Sequence, residues 1–269
     1  MGKARVIGII SIKGGVGKTT TVSSLASALA NEYGKKVLVI DGNFAAPNLG
    51  LHLGYIEPEI TIHDVLNDKV KASEAIHNSD HGFHVIAGSL LGDEVDVLKL
   101  KDKIKHLKKD YDFIILDSSN NLDDQLLSVM NSADELLCIA TPDYPTLSCT
   151  MRAIKLSKEH GTPIKGLILN RVRNKNFELS LDEIEDCAGC NVVAILPDEI
   201  KVLKALSETT PVTLHSPSAE TSHEFRKLAA CLTGQKHNDN RIKTMFSDIF
   251  RKHPKKLDIN RGILIEDYK

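Results

Sequence analysis

Nearly continuous runs of Val, Ile and Leu recur along the chain, such as VLVID at 37–41 and FIILD at 113–117. Runs of this composition are typical of strands that are buried on both faces of a parallel sheet. Seven such strands are predicted, at 5–12, 36–41, 83–87, 112–117, 135–141, 164–170 and 191–196. Helical segments are predicted between and after them, near 18–32, 61–68, 94–108, 123–132, 146–160, 180–188, 199–207 and 218–233. The alternation predicts an α/β fold of three layers, in which helices flank a mostly parallel central sheet.

Composition narrows the class of protein. The chain has 269 residues and a net charge of -2, which argues against a strongly basic nucleic-acid binder. No apolar run approaches the roughly 18 residues of a membrane-spanning helix. Five cysteines without a disulfide framework, and an amino-terminal segment without a secretory pattern, favour a reducing cytoplasm.

The segment KGGVGKTT at 13–20 directly follows the first predicted strand and opens a helix. Glycines let a backbone wrap around a phosphate, and the amino-terminal end of the helix adds positive charge. Lys18 is expected to reach the β- and γ-phosphates, and the Thr19 hydroxyl is expected to bind Mg²⁺. The predicted nucleotide site comprises Lys13, Gly14, Gly15, Val16, Gly17, Lys18, Thr19 and Thr20. The fold is therefore expected to be that of a P-loop NTPase.

This loop differs from the usual phosphate loop at two positions, because Ile12 replaces the first Gly and Lys13 adds a second lysine. The pattern K-G-G-x-G-K-T-T resembles the deviant Walker A motif of the MinD and ParA ATPases. The segment APNLGLHLG at 46–54 resembles the MinD branch more than the plasmid-partitioning branch. The resemblance covers roughly residues 3–234.

The resemblance implies a role for further residues. Lys13 is expected to reach the nucleotide of a second copy, so that ATP joins a homodimer. Asp41 ends a strand where the family has its first switch, and Asp117 resembles the Walker B aspartate that supports Mg²⁺. The segments that resemble the adenine side of the site contain Asn170, Arg171, Pro197 and Asp198. The expected cofactors are ATP and Mg²⁺, and the expected activity is ATP hydrolysis.

Two departures from the family pattern predict weak hydrolysis. Asn43 stands where the family usually has an aspartate that orients or activates water, and an amide is not a general base near neutral pH. SSNN at 118–121 stands where the family has a glycine-containing switch. We therefore expect very slow or partner-dependent turnover, with Lys13, Lys18, Asp41 and Asn43 as the catalytic set.

The chain is expected to divide into an ATPase domain at 1–234 and a basic tail at 235–269, since polar residues follow Gly234. The tail has nine lysines and arginines against five acidic residues. A helix is predicted at about 241–252, with one apolar stripe of Ile242, Met245, Phe246, Ile249 and Phe250. This pattern is typical of a helix that lies in a membrane surface, although the stripe could instead pack on the body or on another protein. The later run Ile263–Ile265 looks like a strand.

Two other classes of function remain open. Cys187 and Cys190 form a C-x-x-C pair, as in ATP-dependent iron–sulfur carriers, but small apolar filler is the simpler interpretation. Lysines crowd 101–109, as a DNA-partitioning ATPase could require, but a solvated helix face explains them as well, so there is no strong nucleic-acid signal.

The sequence thus predicts a MinD-like switch for spatial positioning or cell division. Its expected partners are a second copy, an unidentified activating or cargo protein, and a membrane surface. The expected location is the cytoplasm, with peripheral attachment to the cytoplasmic face of the membrane.

Overall fold

The computed structural model describes residues 4–56, 58–237 and 256–266. Eight strands form one sheet in the spatial order β3-β4-β2-β5-β1-β6-β7-β8. All neighbouring strands are parallel except β3, which pairs antiparallel with β4. The strands are β1 (Arg5–Ile10), β2 (Val37–Gly42), β3 (His77–Asn78), β4 (His84–Ile86), β5 (Phe113–Ser118), β6 (Glu135–Ala140), β7 (Ile164–Val172) and β8 (Val192–Pro197).

Helices cover both faces of this sheet, which confirms the predicted three-layer α/β fold. They are α1 (Lys18–Tyr33), α2 (Leu49–His52), α3 (Ile62–Leu66), α4 (Leu100–Ile104), α5 (Asp124–Ser132), α6 (Tyr144–His160), α7 (Leu181–Ala188), α8 (Ile200–Ser207), α9 (Val212–His215), α10 (Glu220–Thr233) and α11 (Lys256–Glu266). Alternate strand residues face opposite layers: Val6 belongs to the apolar cluster that includes residues of α3–α7, and Ile7 belongs to the cluster that includes residues of α1 and α10.

Several elements differ from the sequence prediction. The helix predicted near 94–108 is broken, because short 3₁₀ helices at Val97–Lys99 and Lys105–Lys109 flank α4. The two-residue strand β3 and the single-turn helices α2 and α9 were not predicted, since elements this short carry no periodicity of their own.

The expectation of a strand at Ile263–Ile265 is wrong, because these residues lie in α11. Asn260, Arg261 and Leu264 of this helix are buried and Leu257 is partly buried, and these four residues follow the helical spacing i, i+3, i+4, i+7. Two of the four are polar, so the apolar pattern that would predict a helix is hidden.

The helix α11 covers β8, which is the edge strand of the sheet. The Asn260 amide donates to the carbonyl of Val192 (2.9 Å) and to Glu185 Oε1 (2.6 Å), and Glu185 Oε1 also accepts the Val192 N–H (2.7 Å). Two side chains thus satisfy edge groups that a further strand would otherwise pair.

The neighbouring carbonyl of β8 is satisfied by the same helix. Arg261 Nε donates to the Val193 carbonyl (2.7 Å), where the register between β7 and β8 shifts, and its guanidinium pairs with Glu224 on α10. Part of the predicted tail therefore packs on the body of the molecule, while the predicted helix at 241–252 lies outside the described residues.

Candidate nucleotide site

The carboxyl ends of β1, β2 and β5 lie side by side, because these strands are neighbours in the sheet. Ligands of open parallel sheets bind at this edge. Asp41 on β2 is in register with Asp117 on β5, and Asp117 is in register with Ile9 on β1. The segments that follow the three strands therefore meet at one place.

The phosphate loop between β1 and α1 depends on its glycines. Gly15 (φ 74°) and Gly17 (φ 97°) have left-handed backbones that favour glycine. A Cβ on Gly17 would lie 2.4 Å from Asn170 Nδ2, so the loop also has no room for a side chain there. Helix α1 begins immediately afterwards at Lys18. The result is a glycine loop at a helix amino terminus, a geometry that suits an anion.

Lys18 is buried at the start of α1. Burial lowers the pKa of its ammonium group, and the nearby Asp117 carboxylate opposes that shift. A buried cation needs an anionic partner. The position of Lys18 is therefore suited to a phosphate group, and its expected role stays a prediction.

A cation fits beside Thr19. Its hydroxyl oxygen lies 2.6 Å from Asp117 Oδ2 and 2.8 Å from Asn48 Oδ1. The other carboxylate oxygen of Asp117, Oδ1, is buried, and it has no hydrogen-bond partner among the described residues. Hydroxyl and carboxylate oxygens are the ligands that Mg²⁺ prefers. Thr19 and Asp117 are thus placed to support Mg²⁺, directly or through water.

Asp41 is a second buried carboxylate next to Asp117. It accepts hydrogen bonds from the backbone N–H groups of Asn43 (3.0 Å), Asn48 (3.1 Å) and Leu49 (3.0 Å). Burial, and then the charge of Asp117, raise the pKa of Asp41, while burial raises the pKa of Asp117. Two adjacent buried carboxylates favour a neutralising cation. Asp41 also orders the segment that carries Asn43 and Asn48.

Asn43 and Lys13 lie at the open side of this site. Asn43 is half-buried and donates its amide to the Ala46 carbonyl (2.6 Å). Lys13 is exposed and close to Asp143. Burial alone would raise the pKa of Asp143, but hydrogen bonds from Thr141 and Thr146 lower it, and the positive charge of Lys13 adds to their effect. The catalytic roles expected for both residues stay predictions.

The structure brings the four residues of the expected adenine side together at the ends of β7 and β8. Asn170 Nδ2 donates to the Val16 carbonyl of the phosphate loop (2.7 Å), and its Oδ1 accepts the N–H of Arg171 (2.9 Å). Asp198, which follows Pro197, donates its N–H to Val172 and pairs with Arg173 (2.6 Å). The amide of Asn170 thus links this side to the phosphate loop.

Asn48 is a site residue that the sequence analysis did not select. Its side chain contacts Thr19, and its backbone N–H binds Asp41. It lies in the segment 46–54 that resembles the MinD branch, but a polar residue soon after a strand is a feature that many loops share, so no role was predicted for it.

The cysteine pair lies at the carboxyl end of α7. Cys187 ends up exposed in α7 and Cys190 follows that helix. Burial, followed by the charge of Glu185, raises the pKa of Cys190 to about 11, which disfavours the thiolate that binds metal. Within residues 4–56, 58–237 and 256–266, no group of three or more His, Cys, Asp or Glu could hold a metal ion. Cys190 is partly buried, as a filler would be, whereas the exposed Cys187 does not fit that interpretation.

A glycine loop at a helix amino terminus, a buried lysine and a hydroxyl–carboxylate pair at the carboxyl edge of a parallel sheet define the class of P-loop nucleotide-binding proteins. The family model described as an AAA domain matches residues 4–160.

Known proteins narrow this class. An ATP-binding protein of Methanocaldococcus jannaschii is 33% identical over 232 residues, which cover 85% of this chain and 88% of that protein. The septum site-determining protein MinD of Pyrococcus horikoshii, solved with Mg-ADP, has a TM-score of 0.79 and 33% identity, covering 84% of this chain and 94% of that one. MinD of Aquifex aeolicus in its complex with MinC has a TM-score of 0.77 and 28% identity, covering 88% and 99%.

The chain belongs to the MinD/ParA family of deviant Walker A ATPases. It is a P-loop ATP hydrolase that binds ATP and Mg²⁺. No helix in the described part of the chain is both long and apolar enough to cross a membrane.

Proposed function

We propose that this ATPase is a MinD-like switch that dimerises around ATP and positions other proteins at a membrane surface. The observation that carries the proposal is the contrast between the two lysines of the phosphate loop. Lys18 is buried, whereas Lys13 is exposed at the rim of the same site. An exposed cation beside a triphosphate site is available to a second copy, where it would contribute charge to the other nucleotide.

The surface around the phosphate loop supports a second copy as the partner. Large apolar side chains are exposed soon after four strand ends on this edge, at Leu122, Tyr144, Phe177 and Ile200. Aromatic residues, such as Tyr144 and Phe177, are enriched in protein interfaces. The four exposed side chains surround the nucleotide site, at which ATP would join the two copies. The interface therefore depends on nucleotide in this proposal.

Residue roles follow the geometry. Lys18 and the loop amides hold the phosphates, while Thr19 and Asp117 support Mg²⁺. Asn170, Arg171, Pro197 and Asp198 line the adenine side. Phosphoryl transfer depends mainly on positioning and electrostatics, so a cation pair and Mg²⁺ can act without a strong base. Asn43 positions water but does not take its proton, which makes basal hydrolysis slow.

Membrane attachment is assigned to the stripe at 242–250. One short amphipathic helix binds lipid weakly, but two such helices on one dimer bind with higher avidity, because the second helix binds at a high effective concentration. ATP would therefore control attachment by controlling dimerisation. A partner protein that binds the dimer would be both the cargo and the trigger for hydrolysis, and the complex of MinD with MinC from Aquifex aeolicus is the model for such a partner.

Molar mass measured by light scattering during size-exclusion chromatography, with Mg-ATP or Mg-ADP, tests the proposal. A dimer is expected with ATP and a monomer with ADP. Lys13→Ala should remain monomeric with ATP while it still binds the nucleotide. Lys109→Ala, which changes an exposed lysine just before the amino end of β5 and thus at the opposite edge of the sheet, is the matched control for charge. A monomer with ATP, or an unchanged Lys13→Ala dimer, would contradict the proposal.

A further inference from the structure

His63 is a buried titratable side chain outside the nucleotide site. It lies in α3, whose first turn is closed by a capping box between Thr61 and Asp64, and only 4% of the residue is exposed. The backbone N–H of Ser89 donates to its Nδ1 (3.1 Å), and its Nε2 lies 3.0 Å from the Phe44 carbonyl oxygen. Because Nδ1 accepts, Nε2 carries the proton and donates to Phe44. Both nitrogens of the neutral ring are thus used to hold backbone.

The two backbone groups belong to different loops of the carboxyl edge. Phe44 follows β2 and is the neighbour of Asn43, while Ser89 follows β4. The Phe44 ring is buried and meets the His63 ring edge-on, with centroids 6.3 Å apart at 85°. His63 therefore holds Phe44 through its carbonyl and through its ring.

The other side of Asn43 is held by Asp41, which accepts its backbone N–H. The Asn43 backbone is thus held on one side by its own hydrogen bond to Asp41 and on the other side by its neighbour Phe44, which contacts His63. Its amide remains at the open side of the site, bonded to Ala46. The Phe44 carbonyl belongs to the peptide unit that follows Phe44, so a shift of this carbonyl would reach the Asn43 backbone through the Phe44 Cα.

The turn after β4 closes around the ring. A Cβ added to Gly92 would lie 2.6 Å and 2.7 Å from His63 Cδ2 and Cγ, which is closer than atoms pack. The ring is anchored on a buried helix and has no space to withdraw into, since protein cores are close-packed. Gly92 thus keeps the His63 ring in place.

We propose that His63 is a positioning residue for ATP hydrolysis, which fixes Asn43 through the carbonyl of Phe44. The inference rests on the proposed water-positioning role of Asn43. His63 does not touch nucleotide in this account, so it affects the rate of hydrolysis and not the affinity for ATP.

Two substitutions separate the contacts of the ring. In His63→Gln the side-chain amide nitrogen can occupy the place of Nε2 and donate to Phe44. In His63→Asn the shorter amide can occupy the place of Nδ1 and accept from Ser89, but it does not reach Phe44. Single-turnover hydrolysis of radiolabelled ATP and the dissociation constant of ATP are measured for both. His63→Asn should lose about tenfold in rate with its affinity within about twofold, and His63→Gln should keep most of the rate.

A double-mutant cycle shows whether the effect passes through Asn43. Asn43→Ala alone should lower the rate, and adding His63→Asn should then cost nothing further. Gly92→Ala, which displaces the ring and leaves its chemistry intact, should reproduce the loss of His63→Asn. If the His63 variants do not fold, the hydrolysis rate of Gly92→Ala tests the proposal instead.

The outcomes distinguish two failures. A wild-type rate in Asn43→Ala would mean that the proposed role of Asn43 is wrong, and the inference would fail with it. A reduced rate in Asn43→Ala overturns only the inference if His63→Asn retains the wild-type rate. The inference alone also fails if His63→Gln and His63→Asn lose rate equally, or if the loss of His63→Asn persists in the Asn43→Ala background.

Discussion

At the scale of single residues, the site is built around two carboxylates that neighbouring strands place side by side. Asp117 approaches Thr19, and Asp41 binds the backbone of the segment that carries Asn43 and Asn48. The acidic pair and the neutral Asn43 have different roles at this edge of the sheet. Charge for a cation is concentrated on the buried side, whereas the open side has an amide.

Asn43→Asp should raise basal ATP turnover, because a carboxylate can orient water and accept its proton, whereas an amide can only orient it. We expect an increase of about tenfold or more, within the range of general base catalysis. Steady-state release of phosphate measures it. Asn43→Ala is the control, and its rate should fall below that of the natural protein. No gain in Asn43→Asp would contradict the assignment of Asn43.

Thr19→Val should weaken binding of Mg-ADP while binding of ADP in EDTA changes little. The valine has nearly the same shape as threonine, but it lacks the hydroxyl that lies next to Asp117 and Asn48. A loss of about tenfold or more in the Mg²⁺-dependent part of the affinity is expected, because the proposed metal ligand is removed. Isothermal titration calorimetry measures both affinities. Thr19→Ser should behave as the natural protein does, and equal losses with and without Mg²⁺ would show a packing effect instead.

At the scale of elements, α11 behaves as a cover for the edge of the sheet. Its polar pair Asn260 and Arg261 satisfies two carbonyls of β8, and Leu264 joins the apolar core on the α1 face of the sheet. Edge strands with unpaired backbone groups are prone to association, so the cover also protects the molecule in solution.

Arg261→Ala should destabilise the fold by about 3 kcal/mol or more, because it leaves the Glu224 carboxylate without its partner and the Val193 carbonyl unsatisfied. Burial alone would raise the pKa of Glu224, but the charges of Arg261 and Lys227 outweigh it and lower that pKa. Urea denaturation followed by circular dichroism measures the free energy of unfolding. Ile259→Ala on the same helix, where the side chain is exposed, is the control and should change stability by about 0.5 kcal/mol or less. Equal effects would mean that α11 does not dock as described.

At the scale of the whole molecule, the position of α11 changes how the membrane hypothesis must be tested. Truncation after Gly234 would remove the predicted stripe at 242–250, but it would also uncover β8. A loss of lipid binding could then follow from a damaged body. Substitutions that alter the stripe and keep α11 are the sharper test.

The double variant Phe246→Asp and Phe250→Asp should abolish ATP-dependent sedimentation with anionic liposomes, because two charges replace the largest apolar groups of the stripe. Affinity for ATP and the melting temperature should not change. Thr244→Asp with Ser247→Asp adds the same charge at positions off the stripe and is the matched control. If both double variants lose binding equally, charge alone explains the effect. If neither loses it, the stripe is not the contact with lipid.

Much of the nucleotide site follows from the sequence because its decisive parts are local. The glycines, Lys18 and Thr19 are consecutive, so their chemistry and the start of α1 follow from a few adjacent residues. Runs of Val, Ile and Leu predict strands buried on both faces, and the neighbouring strand ends then bring Asp41 close to Asp117. Local backbone preference and burial agree at these places, which is why the α/β fold could be predicted.

Contacts between distant residues could be decided only by the tertiary structure. Asn48 reaches Thr19 across 29 positions, His63 reaches Phe44 across 19, and Asn260 reaches Val192 across 68. The β-branched residues Ile263 and Ile265 favour a strand by themselves, but helix α11 buries Leu264 and pairs Arg261 with Val193 and Glu224. A sequence pattern records which residues are apolar along one segment. It does not record which carbonyl of another strand lacks a hydrogen-bond donor. Only the folded chain brings a donor such as Asn260 or Arg261 to that carbonyl.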